Sequence, residues 1–92
     1  MILTFRHKGL QVFFETGSKA GIQAHHAARL QLQLTALKRA QQPADMDVPN
    51  WRLHQLRGNQ DGHWAILVDK NWRLTFRFVG EDVELLDYPD DH

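Results

Sequence analysis

Apolar and polar residues change their period near the middle of this chain. Residues 2–6 (ILTFR) predict a short strand. Leu10, Phe13 and Phe14 then recur at helical spacing within K8-G9-L10-Q11-V12-F13-F14-E15-T16, and Gly17 is placed to close that helix. S18-K19-A20-G21 predicts a turn. From about Ile22 to Ala40 the chain is rich in Ala, Gln, Leu, Lys and Arg, all good helix formers. Ala27, Leu30, Leu34 and Leu37 make one stripe on this second helix, with His25, Arg29, Gln33 and Arg39 mostly off it. Pro43 and D45-M46-D47 end it, and a loop runs on to Pro49.

Beyond Pro49 the period becomes two. W51-R52-L53-H54-Q55-L56 predicts a strand, G58-N59-Q60-D61-G62 a turn, and H63-W64-A65-I66-L67-V68 a second strand. After a tight D69-K70-N71 turn, W72-R73-L74-T75-F76-R77-F78 alternates cleanly. Trp72, Leu74, Phe76 and Phe78 fall on one face, and Arg73, Thr75 and Arg77 on the other. G80-E81 turns the chain into V83-E84-L85-L86-D87-Y88. Short connections predict an antiparallel meander, so the expected class is α+β: two helices packed on one face of a mainly antiparallel sheet. Ninety-two residues make one domain, 1–92, with room for one core.

Composition narrows the chemistry. There is no cysteine, so disulfides and thiolate metal sites are excluded, which fits a reducing cytoplasm. The start, MILTFRHKGL, reads as no signal peptide, and no apolar run is long enough for a membrane span. Net charge is zero but unevenly spread. Residues 1–80 hold all eleven Lys and Arg against five acids, while residues 81–92 hold six acids and no base. A basic body with an acidic last strand can hold phosphate despite a neutral total.

Alternation decides which polar groups share a surface. If the aromatic residues of the 72–78 strand face the helices, Arg73 and Arg77 lie on the open face. Arg52 and His54 share one parity of their own strand, and Arg57 stands just past its end. A histidine among arginines on a sheet makes a reasonable phosphate site, because guanidinium groups bind phosphate oxygens bidentately at any physiological pH. The bland alternative is a solvated sheet face with a half-buried histidine, and spacing alone favours it. His25 and His26, adjacent on a helix, should point about 100° apart and read as surface residues that do not chelate one ion. His7 and His63 read as structural, and Trp51, Trp64 and Trp72 as packing.

The stretch LHQLRGNQDGHWAILVDKNWRLTFRF, with DYPDDH at the terminus, resembles the HigB toxins of the RelE/ParE superfamily of bacterial toxin–antitoxin systems. So do F5-R6-H7-K8-G9-L10, F14-E15-T16-G17-S18, A20-G21-I22-Q23-A24 and D45-M46-D47-V48-P49, and the likeness covers essentially the whole chain. It implies a RelE-like fold with a short N-terminal strand. It also implies a ribosome-dependent messenger RNA endonuclease that works on a basic sheet face with no metal or other cofactor. By the same resemblance His54, Arg57, Asp90 and His92 carry catalysis and Arg73 and Asp91 the RNA contacts, to which strand parity adds Arg52 and Arg77. Arg57 stands where well-known members have lysine. Asp91 stands where the family's terminal Asp-Tyr-His has a tyrosine, which costs a base-stacking contact worth roughly 1–3 kcal/mol.

Partners follow from the same resemblance: the ribosome and mRNA, and a helix-turn-helix antitoxin of the HigA kind, two copies of each chain per complex. Operator DNA would be met only through that antitoxin. Two competing readings keep the fold and change the function. One is a ParE-like gyrase inhibitor without nuclease activity, which has no need of the two histidines. The other is a degenerate toxin that still binds its antitoxin, a possibility raised by Asp91.

Overall fold

The computed structural model describes residues 1–58 and 62–90. Helix α1 (Lys8–Thr16) begins where the His7 side chain accepts the Leu10 N–H at Nδ1, 3.0 Å away, and ends at Gly17, whose φ of 80° permits the left-handed cap. The second helical region opens as a 3₁₀ turn, Ala24–His26, and continues as α2 (Ala27–Arg39). Its expected stripe of Ala27, Leu30, Leu34 and Leu37 is buried. Gln33 is buried as well, although the hydrophobic pattern placed it off the stripe.

Four antiparallel strands follow in the order β1 (His54–Gln55), β2 (His63–Leu67), β3 (Arg73–Val79) and β4 (Asp82–Asp87). Ile66, Leu74, Phe76, Val83 and Leu86 join Leu10, Phe13, Leu30, Leu34 and Leu37 in one apolar cluster, so the helices cover a single face of the sheet. Trp51, Trp64 and Trp72 pack against that cluster as expected.

Two expected strands are shorter than the pattern suggested, and backbone geometry explains both. The 51–56 segment pairs only at His54 and Gln55, because Asn50 and Arg52 sit at φ 76° and 51°, outside the extended region. Residues 2–6 make two parallel bridges to β4, Ile2 with Val83 and Phe5 with Leu86, rather than a continuous strand. Between those bridges Leu85 adopts φ 55° and gives its N–H to Thr4 Oγ1 at 2.9 Å instead of to a carbonyl.

Leu85 is the extra residue of a β-bulge. Arg77 pairs with Glu84, but Thr75 pairs with Asp87, so the register slips by one between them. That slip buries Val83, Leu86 and Tyr88 together, a spacing that simple alternation would not give.

Tyr88 thereby reaches His26, which the sequence had placed on the surface. His26 is only 4% exposed. Its Nε2 lies 2.6 Å from Asp69 Oδ2 and its Nδ1 lies 2.5 Å from the Tyr88 hydroxyl. An ionised carboxylate only accepts, so Nε2–H donates to Asp69, and in the neutral ring the Tyr88 O–H donates to Nδ1. The Gln23 N–H at 3.4 Å and the Asn71 and Trp72 N–H groups on Asp69 Oδ1 complete the network. Partial burial pushes the Asp69 carboxyl up, but the bonds from His26, Asn71 and Trp72 outweigh it and bring its pKa down to about 2. Burial raises the Tyr88 phenol, the Gln23 N–H opposes this, and Asp69 and Asp90 add to the rise.

Two outcomes test this account. Gly9 faces Gly21 so closely that a methyl on Gly9 would overlap the Gly21 carbonyl, and backbone lies on both sides. Gly9→Ala should therefore destabilise by about 1–3 kcal/mol, read as a lower denaturant midpoint. Because the folded pKa of Asp69 lies below its ordinary 3.8, its contribution is present above that pH and is lost as pH falls towards about 2. Asp69→Asn should remove this component of the acid limb in pH-dependent unfolding, and should cost about 1 kcal/mol at neutral pH because the side chain is half-exposed.

Candidate functional site on the uncovered sheet face

Directly opposed residues of an antiparallel ladder point to the same face. His54 opposes Ala65, Ala65 opposes Thr75, and Thr75 opposes Asp87, so these four form a row across the uncovered face. One row to one side, Leu67 opposes Arg73; to the other, His63 opposes Arg77, which opposes Glu84. Arg73 and Arg77 thus flank the row that His54 begins. With strands ~4.8 Å apart and a rise of ~3.4 Å per residue, His54 and Arg73 stand about 12 Å apart at their Cα atoms.

The floor between them is Ala65 and Thr75. Both are buried, at 0% and 8% exposed, although no helix covers this side. Longer side chains around them therefore cover these two short ones. Arg52 and Arg57 are exposed on either side of β1, Arg77 is exposed, and His54 and Arg73 are half-buried.

His54 is held in a defined state. Its Nδ1 lies 2.8 Å from the Arg52 carbonyl oxygen. A carbonyl only accepts, so Nδ1 carries the proton in the neutral ring and the lone pair resides on Nε2. The arrangement supplies one imidazole able to take a proton and guanidinium groups able to stabilise an oxyanion.

The acidic end of the chain returns to this region. The Arg73 N–H donates to the Pro89 carbonyl at 3.2 Å, and Asp90 bridges Trp72. That bridge gives Asp90 the parity of Trp72 and Leu74, not that of Arg73 and His54, and sets it where its charge acts on Tyr88. Asp91 and His92, expected to bind RNA and to catalyse, lie outside the described residues.

Two residues of interest escaped the sequence reading. His63, taken as structural, lies on the same face as His54, and both its ring nitrogens are buried without a hydrogen-bond partner among the described residues. Its parity with Ala65 was the available signal. Gln33, a buried amide, donates to the Leu67 carbonyl at 2.7 Å. No pattern in the sequence announces that bond.

His25, His26 and Asp69 are the group whose geometry comes nearest to a metal centre among the described residues, with donor atoms within 4.8 Å of one another. Regular helical geometry would make these histidines diverge; the 3₁₀ turn instead brings their rings to 4.2 Å between centroids, tilted by 50°. Both ring nitrogens of His26 are already engaged in the network to Asp69 and Tyr88. A separate groove of about 600 Å³ lies between α1 and α2, lined by Phe13, Phe14 and Leu34 with Lys19, Lys38 and Arg39 at its edge.

Comparison with known proteins agrees with this architecture. Endoribonuclease HigB of Proteus vulgaris is 38% identical over 92 residues, covering all of both chains. Toxin HigB-1 of Vibrio cholerae is 34% identical over 94 residues, covering all of this chain and 98% of that one. In three dimensions the fold matches YafQ from Escherichia coli with a TM-score of 0.66 at 13% identity, over 98% of this chain and 91% of that one. Residues 3–92 match the family described as the RelE-like toxin of type II toxin–antitoxin system HigB, and the chain belongs to that family of toxins.

Proposed function

We propose that this toxin is an endoribonuclease that cuts messenger RNA presented in the decoding site of the ribosome. The observation that carries the reading is the state of His54: proton on Nδ1, lone pair on Nε2, on the face that also displays Arg73 and Arg77. The endoribonuclease name of the Proteus vulgaris relative supports it.

In the reaction His54 Nε2 takes the proton of a ribose 2′-hydroxyl. The 2′-oxygen attacks the adjacent phosphorus, and the bond from phosphorus to the leaving 5′-oxygen breaks. His92 protonates that oxygen. The products are a 2′,3′-cyclic phosphate and a 5′-hydroxyl. Arg73 and Arg57 stabilise charge on the phosphorane, and Arg52 and Arg77 hold the flanking phosphates. Since the Arg52 carbonyl already occupies His54 Nδ1, Asp90, bridged to Trp72, is left to assist at the end of the chain.

Dependence on the ribosome follows from charge. Four arginines meet Glu84 and Asp87 on or beside this face, and the whole chain carries no net charge. Non-specific affinity for RNA grows with the number of phosphates neutralised, so this surface captures free RNA weakly. The ribosome supplies the missing binding energy and presents the codon. A type II system pairs its toxin with an antitoxin, here of the helix-turn-helix kind and with two copies of each chain in the complex. The working compartment is the cytoplasm, and no helix among the described residues is long and apolar enough to cross a membrane.

Mapping RNA 5′ ends after induction in a bacterium tests the reading. In-frame cuts within codons are expected, and His54→Ala or His92→Ala should reduce them by roughly 10²–10⁴-fold. Growth arrest with intact transcripts and damaged DNA would instead identify a gyrase poison, and no arrest from a folded protein a degenerate toxin, the outcome that Asp91 would explain. With purified components, ribosome-bound message should be cut and the same RNA free in solution left nearly intact.

A further inference from the structure

The strand that carries His54 departs from regular pairing immediately before it. His54 opposes Ala65 and Gln55 opposes Trp64, and the Leu56 N–H donates to the His63 carbonyl at 2.9 Å. Continued regularly, this register would oppose Arg52 to Leu67, and the two would exchange both backbone hydrogen bonds. They do not. The Leu67 N–H donates to the Trp51 carbonyl at 2.7 Å. One extra residue has entered β1's side of the ladder, and Arg52 takes it up at φ 51°.

Two backbone groups are thereby released. The Arg52 carbonyl leaves the ladder and accepts the His54 Nδ1 proton at 2.8 Å. The Leu67 carbonyl loses the Arg52 N–H and accepts instead from the Gln33 amide, 2.7 Å away in the core. Gln33 is 0% exposed. Its side chain supplies the donor that makes the irregular register affordable, since a buried carbonyl is seldom left unpaired.

We infer that this bulge, with Arg52 in the left-handed conformation and Gln33 as its buried plug, is a positioning device that fixes the tautomer and aim of His54. Arg52 acts through its carbonyl and Gln33 through Leu67. Neither role depends on the side chain of Arg52 touching RNA. A regular strand would spend the Arg52 carbonyl on Leu67 and leave Nδ1 without this partner. The ring would then be free to carry its proton on either nitrogen, and a ring protonated on Nε2 has no lone pair there to act as base. The catalytic meaning of the device rests on the nuclease reading above; its geometry does not.

The test separates the two. Nitrogen-15 spectra of the His54 ring in the wild-type protein should show the proton on Nδ1 in the neutral form. Arg52→Gly and Arg52→Val both remove the guanidinium group, but only valine opposes a positive φ. Glycine should keep the tautomer. Valine should give a mixture, lower cleavage of ribosome-bound message at least roughly tenfold below the glycine variant, and shift the acid limb of its pH profile. Gln33→Leu, which removes the plug and leaves Arg52 intact, should move the tautomer in the same direction. A wild-type ring protonated on Nε2 would overturn the inference, as would identical tautomers and rates in the glycine and valine variants. If the valine variant does not fold, the wild-type and Gln33→Leu spectra still decide. If none of these proteins cuts RNA, the nuclease reading fails while the spectra still judge the bulge.

Discussion

An antiparallel ladder has a period of two, and one inserted residue turns every later side chain to the opposite face. The uncovered face of this toxin depends on that constraint at two places. Arg52 and Leu85 are both non-glycine residues at positive φ, and each is the extra residue of its strand. The first frees a carbonyl for His54. The second resets β4, sending Tyr88 into the core and Asp87 to the uncovered face. Without the second insertion, continuing the Glu84–Arg77 register would set Asp87 opposite Leu74, on the helix-covered side, where an unpaired carboxylate is costly.

Each irregularity carries its own compensation. The N–H of Leu85 finds the Thr4 hydroxyl, and the Leu67 carbonyl finds the Gln33 amide. Strained backbone persists where surrounding contacts over-determine it. Here those contacts come from far along the chain: Thr4 lies near the N-terminus, and Gln33 lies on the helix packed behind the sheet. The N-terminal segment and α2 therefore do more than fill the core. They hold in place the two departures from regularity that give the uncovered face its residues.

The legible part of the fold was the part that obeys a period. The apolar stripe of α2, the alternation of β3 and the cap at Gly17 all follow from spacing, and so does the grouping of His54 with Arg73 and Arg77 on one face. What alternation cannot show is where it stops. Nothing in W51-R52-L53-H54 marks Arg52 as left-handed, since arginine adopts that conformation only when neighbours compel it. The same limit hid His26. Its burial depends on Tyr88 arriving at the core by way of the Leu85 bulge, and on Asp69 turning back on Asn71 and Trp72 to receive its ring. Bonds between residues sixty-two positions apart leave no local trace.

The His26 network also bears on how the chain end is held. Tyr88 sits between two constraints: its hydroxyl is engaged by His26, and its ring lies 4.6 Å from that of Trp72. Pro89 and Asp90 follow at once and pair with Arg73 and Trp72. Pro89 and Asp90 thus meet the backbone of a candidate phosphate-binding arginine and the residue that precedes it. A carboxylate-rich terminus free in solution would compete with RNA for the basic face. Anchored by a buried tyrosine and a bridge on the Trp72 side, Asp90 is kept off the parity of His54 and Arg73. The anchoring thus keeps one carboxylate of a chain with equal numbers of acids and bases off the face that carries Arg73 and Arg77.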